Sequence, residues 1–217
     1  MKLKIYYSST PFWRAEVMRV SLFIGNIPFE DVRISREEFR EVILTGKLRN
    51  GMTVPFHQLP VLEIDGKIIG QTGGIARFCG KLSNLYPENN LLAAQVDQII
   101  DTATDITNLI SPTVGEKDEK IKKNMREKLT HKLLPRWLNY LEQILNENKD
   151  AIWFVDNKLS IADIAIWRLL GWIKSGMLDG IPSDICEPYP KLDNIYNTVH
   201  KHPKVQEWML TTYGKEI

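Results

Sequence analysis

Leu3, Ile5 and Tyr7 alternate with Lys2, Lys4 and Tyr6, the two-residue period of a strand with one buried face that ends near Ser8. After the turn Ser8-Ser9-Thr10-Pro11 the period lengthens. Val17, Val20, Leu22 and Phe23 recur at helical spacing until Gly25-Asn26 stops them. Pro28 to Ile34 predicts a second strand, and the polar stretch Ser35 to Thr53 a helix or a long functional loop. Val61-Leu62-Glu63-Ile64 and Lys67-Ile68-Ile69 flank Asp65-Gly66, a hairpin signal because both turn positions take positive φ. Helical spacing returns at Ile75, Cys79 and Leu82, with Thr72 placed as an N-cap hydroxyl. The order β-α-β-α-β-β-α predicts a thioredoxin-like α/β half over residues 1–82.

Ser83 to Asn90 breaks both periods and is read as a linker, and every later pattern is helical, so residues 91–217 predict an all-α half. Leu91 to Ile110 forms one such helix, with Asp97, Asp101 and Asp105 four apart, a spacing that by itself describes a solvated stripe. Lys117 to Lys128 mixes charges of both signs, a solvated helix face. A helix over Leu133 to Leu145 is bent or begun near Pro135. Ser160 and Asp163 stand three apart at the head of an apolar run, a capping box. Pro188-Tyr189-Pro190 and His202-Pro203 open two terminal helices.

Charge narrows the function. With 28 basic and 27 acidic residues the formal net charge is +1, so there is no basic excess for nucleic acid or for a membrane surface. No apolar run approaches the roughly 18 residues of a membrane helix, and the N-terminal MKLKIYY lacks the apolar core of a leader, which gives a cytoplasmic expectation. Cys79 and Cys186 lie far apart without metal spacing and are expected to be reduced and buried; the four histidines show no ligand spacing, so no metal is expected.

The stretch Leu59-Pro60, then Glu63-Ile64-Asp65-Gly66, then Gln71-Thr72 opening a helix, resembles the glutathione-binding half of the glutathione transferases, nearest their sigma and alpha classes. The likeness extends over nearly the whole chain. It implies a homodimer that binds glutathione and turns its thiol on a small hydrophobic electrophile, with no metal. The turn after the first strand carries no cysteine, so thiol–disulfide exchange by this chain is excluded and a hydroxyl donor to the thiolate remains. By resemblance that donor is Tyr7, supported by Arg14. The Tyr7-to-Arg14 spacing is one residue longer than the family pattern and lacks its Arg-Gly, which leaves Ser8, Ser9 and Thr10 as alternatives.

The resemblance also assigns the tripeptide's ends. Arg49 faces the glycyl carboxylate, Gln58 the cysteinyl-glycine portion, and the Leu59 backbone before Pro60 the cysteinyl part. Gln71 and Thr72 take the γ-glutamyl carboxylate at a helix N-terminus, where free amides and the helix dipole favour an anion. Asp105 matches the acid that reaches the partner subunit's γ-glutamyl amine. Phe12, Trp13, Trp208, Met209 and Tyr213 are candidate apolar walls for the second substrate. A glutathione-dependent isomerase or peroxidase of sigma type, or a glutathione-binding relative without turnover, are the alternatives.

Overall fold

The computed structural model describes residues 1–148 and 152–214. Its elements are β1 (Leu3–Tyr7), α1 (Trp13–Ile24), β2 (Glu30–Arg33), α2 (Arg36–Thr45), β3 (Val61–Ile64), β4 (Lys67–Ile69) and α3 (Thr72–Leu82), followed by α4 (Asn90–Gly115), α5 (Glu119–Lys128), α6 (Leu134–Glu147), α7 (Ile161–Ile173), α8 (Pro190–His200) and α9 (Pro203–Tyr213). The order is that of a thioredoxin-like α/β half followed by an all-helical half. The sheet runs β2-β1-β3-β4, with β2 parallel to β1 across the α1 crossover and the other pairs antiparallel.

The strand-one expectation needs one correction. Tyr6 is as buried as Tyr7, because the chain from Ile34 through Val42, Leu48 and Val54 packs a second, smaller core on the far side of the sheet. Tyr6 meets that burial by donating its hydroxyl to Glu63 at 2.6 Å. The polar stretch after β2 resolves into α2, capped by the Ser35 hydroxyl, which accepts from the Glu38 amide, and closed by Gly46 at φ 69°. The β3–β4 turn holds Asp65 at φ 46° and Gly66 at φ 85°, as both turn positions require. A second correction concerns α3. Thr72 is its first helical residue and is buried, while Gln71 occupies the cap position at φ 70° and offers no capping side chain.

The main core crosses from one half to the other. Trp13, Val17 and Val20 of α1 join Ile75 and Cys79 of α3, Ile99, Ala103 and Ile106 of α4, and the apolar length of α7. In α7 every residue except Trp172 is buried, which makes it the central helix. Gly80 lets α3 approach this helix, since a Cβ there would stand 2.7 Å from Ile161. Cys79 and Cys186 are both buried and free. Between α5 and α6 the helix widens into a π turn over Leu129–Leu133 just before Pro135, which has no N–H to return to the preceding turn and whose ring crowds it.

Two polar arrangements hold this framework. At the start of α7 the buried Asp163 carboxylate accepts from the Phe154 amide at 2.9 Å, and from the Ser160 amide and hydroxyl at 2.8 Å each. Inside α1, Glu16 and Arg19 form a fully buried pair at 2.8 Å. Glu16 also accepts from Trp208 Nε1 at 2.9 Å and from the Tyr213 hydroxyl at 2.7 Å, both on α9. Arg19 donates onward to Asp31 of β2 and to the Ser8 carbonyl. Burial alone pulls the Arg19 pKa down, but Glu16 and Asp31 outweigh it and hold the guanidinium above its ordinary value.

Asp163→Ala strands three buried donors and is expected to cost about 3 kcal/mol, against about 1 kcal/mol for Ser160→Ala. Urea unfolding midpoints check the order, and a larger loss for Ser160→Ala would overturn it. Arg19→Met leaves Glu16 charged and unpaired by any cation, a loss of about 3–5 kcal/mol. The double variant Glu16→Gln/Arg19→Met, with both charges gone, should recover at least half of it in the same measurement.

Candidate functional site

Register places the predicted residues at one end of the sheet. Tyr6 pairs with Val61, so Pro60 lies across from Tyr7; Leu62 pairs with Ile69, so Gln71 lies across from Pro60. Ile34, donating its amide to the Tyr7 carbonyl at 3.0 Å, extends the same end on the β2 side. Tyr7, Pro60, Gln71 and the uncapped start of α3 therefore share one edge, where no strand continues. The Leu59-Pro60 bond is cis.

Tyr7 is buried to 8 % exposure, with its ring edge-on to Phe39 at 5.9 Å between centroids. Among the described residues no side chain or carbonyl hydrogen-bonds its hydroxyl, which opens on a cleft of about 610 Å³. That volume lies in the range of small-molecule sites. Burial pushes the Tyr7 pKa up to about 12 in spite of the positive charges of Arg14 and Arg19, so the hydroxyl is protonated and able to donate at neutral pH. Arg14, on the first turn of α1, stacks on the Trp13 ring at 5.2 Å; among the described residues it makes no ion pair, and burial lowers its pKa against the pull of Tyr7.

The loop between β1 and α1 is held by its carbonyls. Arg19 Nη2 donates to Ser8 at 3.2 Å, Arg33 Nη1 to Ser9 at 3.3 Å, and Arg168 Nε, from α7, to Pro11 at 2.7 Å. Ser8, Ser9 and Thr10 line the cleft together with Ser35 and with Arg36, Phe39 and Arg40 of α2. Three guanidinium groups, those of Arg19, Arg33 and Arg168, thus pin one short loop.

The remaining predicted residues are more dispersed. Arg49 is exposed, 3.7 Å from Glu38, and Gln58 is exposed beyond the helical turn at Pro55–His57. Leu59 is buried in the second core with Tyr7. Asp105 is exposed on α4, as is Asp101; Asp97 is committed to Arg77 at 2.8 Å and to the Tyr86 hydroxyl at 3.0 Å. Of the five proposed apolar walls only Phe12 lines the cleft. Trp13 is fully buried with its indole N–H on Thr107, Trp208 and Met209 are core, and Tyr213 is bound to Glu16. The cleft residues missed in the sequence are Ile34, Ser35, Arg36, Phe39 and Arg40. Ile34 reads as the end of the second strand and the others fall in a stretch without a resolved period; Ser35 standing three before Glu38 is the signal that could have opened a helix there.

The chain is similar to known proteins along most of its length. Residues 104–211 match the family described as glutathione S-transferase, C-terminal domain. The chain is 32% identical over 202 residues to hematopoietic prostaglandin D synthase of Mus musculus, covering 91% of this chain and 90% of that one. It is 29% identical over 195 residues to glutathione S-transferase S1 of Drosophila melanogaster, covering 90% of this chain and 73% of the relative. Among solved structures, prostaglandin synthase D of Nilaparvata lugens superposes with a TM-score of 0.82 at 30% identity, covering 96% of this chain and 97% of the other. A thioredoxin-like sheet backed by an all-helical half, together with 32% identity to a relative matched over 91% of this chain and 90% of its own length, makes this chain a member of the glutathione transferase family.

Proposed function

We propose that this chain binds glutathione at the sheet end and conjugates its thiolate to small hydrophobic electrophiles. The observation that carries the reading is the Tyr7 hydroxyl. It is held on a buried ring, free of any protein acceptor among the described residues, beside the uncapped start of α3. In this reading Tyr7 donates to the cysteinyl sulfur and stabilises the thiolate, with Arg14 adding positive charge behind it. Gln71 and Thr72 hold the γ-glutamyl carboxylate on the free amides of the α3 N-terminus. Leu59, ahead of Pro60, pairs by its backbone with the cysteinyl part, Gln58 lies along the cysteinyl-glycine portion, and Arg49 takes the glycyl carboxylate as a charge-assisted fork.

The same reading divides the chain into a glutathione-binding unit over residues 1–82 and a helical unit over 91–217. It makes the protein a cytoplasmic homodimer serving detoxification, in which Asp105 reaches the partner subunit's tripeptide. Among the described residues no helix is long and apolar enough to cross a membrane. A second reading, a glutathione-dependent isomerase using the same thiolate, is supported by the likeness to a protein named prostaglandin D synthase.

An unassisted thiol of the cysteine type has a pKa of about 8.5, and a donor to the thiolate lowers it. Tyr7→Phe is therefore expected to raise the inflection of the kcat/KM profile toward that value. The rate near neutral pH should then drop roughly tenfold for every pH unit by which the inflection rises. If Tyr7→Phe leaves the profile in place while Ser9→Ala moves it, the donor is the serine. Asp105→Ala should weaken glutathione binding several-fold in a calorimetric titration. A wild-type protein that sediments as a monomer, with Asp105→Ala binding as before, would count against a shared site.

A further inference from the structure

The cleft beside Tyr7 has a sign. Two of its lining residues, Arg36 and Arg40, stand four apart on α2 and so share one face of that helix. Both are exposed, and neither forms an ion pair among the described residues. Among those residues no aspartate or glutamate lines the cleft. Three acids stand on the same helix outside the cleft: Glu37 is exposed and feels the charges of Arg36 and Arg40, Glu41 is exposed beside Arg40, and Glu38 is turned toward Arg49. Phe39 lies between the two arginines in sequence and presents its ring to the cleft beside Tyr7, with Phe12 on the facing loop. The cleft thus combines aromatic walls, a row of hydroxyls and two free guanidinium groups. Positive charge held in no ion pair, on the rim of a cleft with aromatic walls and no acid of its own, favours a ligand that brings an apolar body and a negative charge.

We propose that Arg36 and Arg40 select electrophiles that carry a carboxylate or a comparable anionic group, which they bind while the reactive carbon faces the thiolate near Tyr7. This rests on the transferase reading above. With a chlorinated aromatic electrophile the step is a substitution at the ring carbon. The thiol proton has already passed to solvent, the sulfur lone pair forms the C–S bond, the C–Cl bond breaks, and chloride leaves with the bonding pair. The arginines take no part in those bonds. They are specificity-determining residues.

The test compares a chlorodinitrobenzoate with its methyl ester, which share ring and leaving group and differ in charge. The acid-to-ester ratio of kcat/KM is measured for wild type and for the double variant Arg36→Gln/Arg40→Gln. The ratio is expected to fall at least roughly fivefold in the variant, the upper range for one exposed charge pair. In wild type it should also shrink between about 0.1 M and about 1 M salt, as the screening length drops from about 10 Å to about 3 Å. An unchanged ratio overturns the inference. So does a rise in the KM for glutathione with the ratio unchanged, since the pair would then be gripping the tripeptide's own carboxylate.

If wild type turns over neither compound, the transferase reading fails on its own. The charge selection is then read from binding, as the affinity of the S-aryl glutathione conjugate in its acid and ester forms. Equal loss of both forms in the double variant, or no loss of either, overturns the proposal; selective loss of the acid form supports it.

Discussion

The buried Glu16–Arg19 pair is the constraint on which the rest depends. Placing two opposite charges inside α1 is costly unless each is saturated, and here each is: the carboxylate by an indole and a phenol from α9, the guanidinium by Asp31 and the Ser8 carbonyl. The saturating groups come from β2, from the loop after β1, and from the last helix, so the pair is satisfied only when all three are in place. Chain segments 192 residues apart are joined through one carboxylate by the Trp208 contact. The pair therefore specifies an arrangement more than it adds stability, because an apolar substitute of the same shape would pack without demanding any of these partners.

That arrangement determines what the cleft can offer. Arg33 donates to the Ser9 carbonyl and to the Tyr213 hydroxyl, so the C-terminal helix and the donor loop are held by the same side chain. With the carbonyls of Ser8, Ser9 and Pro11 engaged by arginines, the loop backbone is fixed while its hydroxyls stay free. Burial keeps the Tyr7 phenol protonated near neutral pH, so its O–H is available to donate. A phenol donor with several nearby cations favours a bound anion, the property on which the proposed thiolate site rests, while both thiols of this chain are buried elsewhere.

Much of the framework was legible because it follows from local rules. The Asp65-Gly66 turn, the Ser160–Asp163 box and the prolines opening α8 and α9 each set backbone geometry within a few residues, and each formed where the pattern placed it. The thioredoxin-like order of the first half could be read for the same reason. Other features could not. Tyr6 reads as the solvent-facing partner of Tyr7 until a long segment folds over the far side of the sheet, which no short period reports. Thr72 has the chemistry of a cap, yet the chain enters α3 through Gln71 at positive φ, so the threonine is drawn inside. Trp208 and Tyr213 read as pocket walls because their role is set by Glu16, 192 and 197 residues away. The arginines of α2 lay in a stretch without a resolved period, and a charge with no partner leaves no trace in local pattern.

The core that runs unbroken through α1, α3, α4 and α7 has a mechanical consequence. A hinge at Ser83 to Asn90 would have to pull Trp13 and Val17 away from α7 and part the close approach at Gly80, exposing apolar surface that nothing else covers. The shared core therefore opposes any swing of one half against the other. Whatever breathing admits and releases a guest is left to α2, the helix that faces the pinned loop across the mouth.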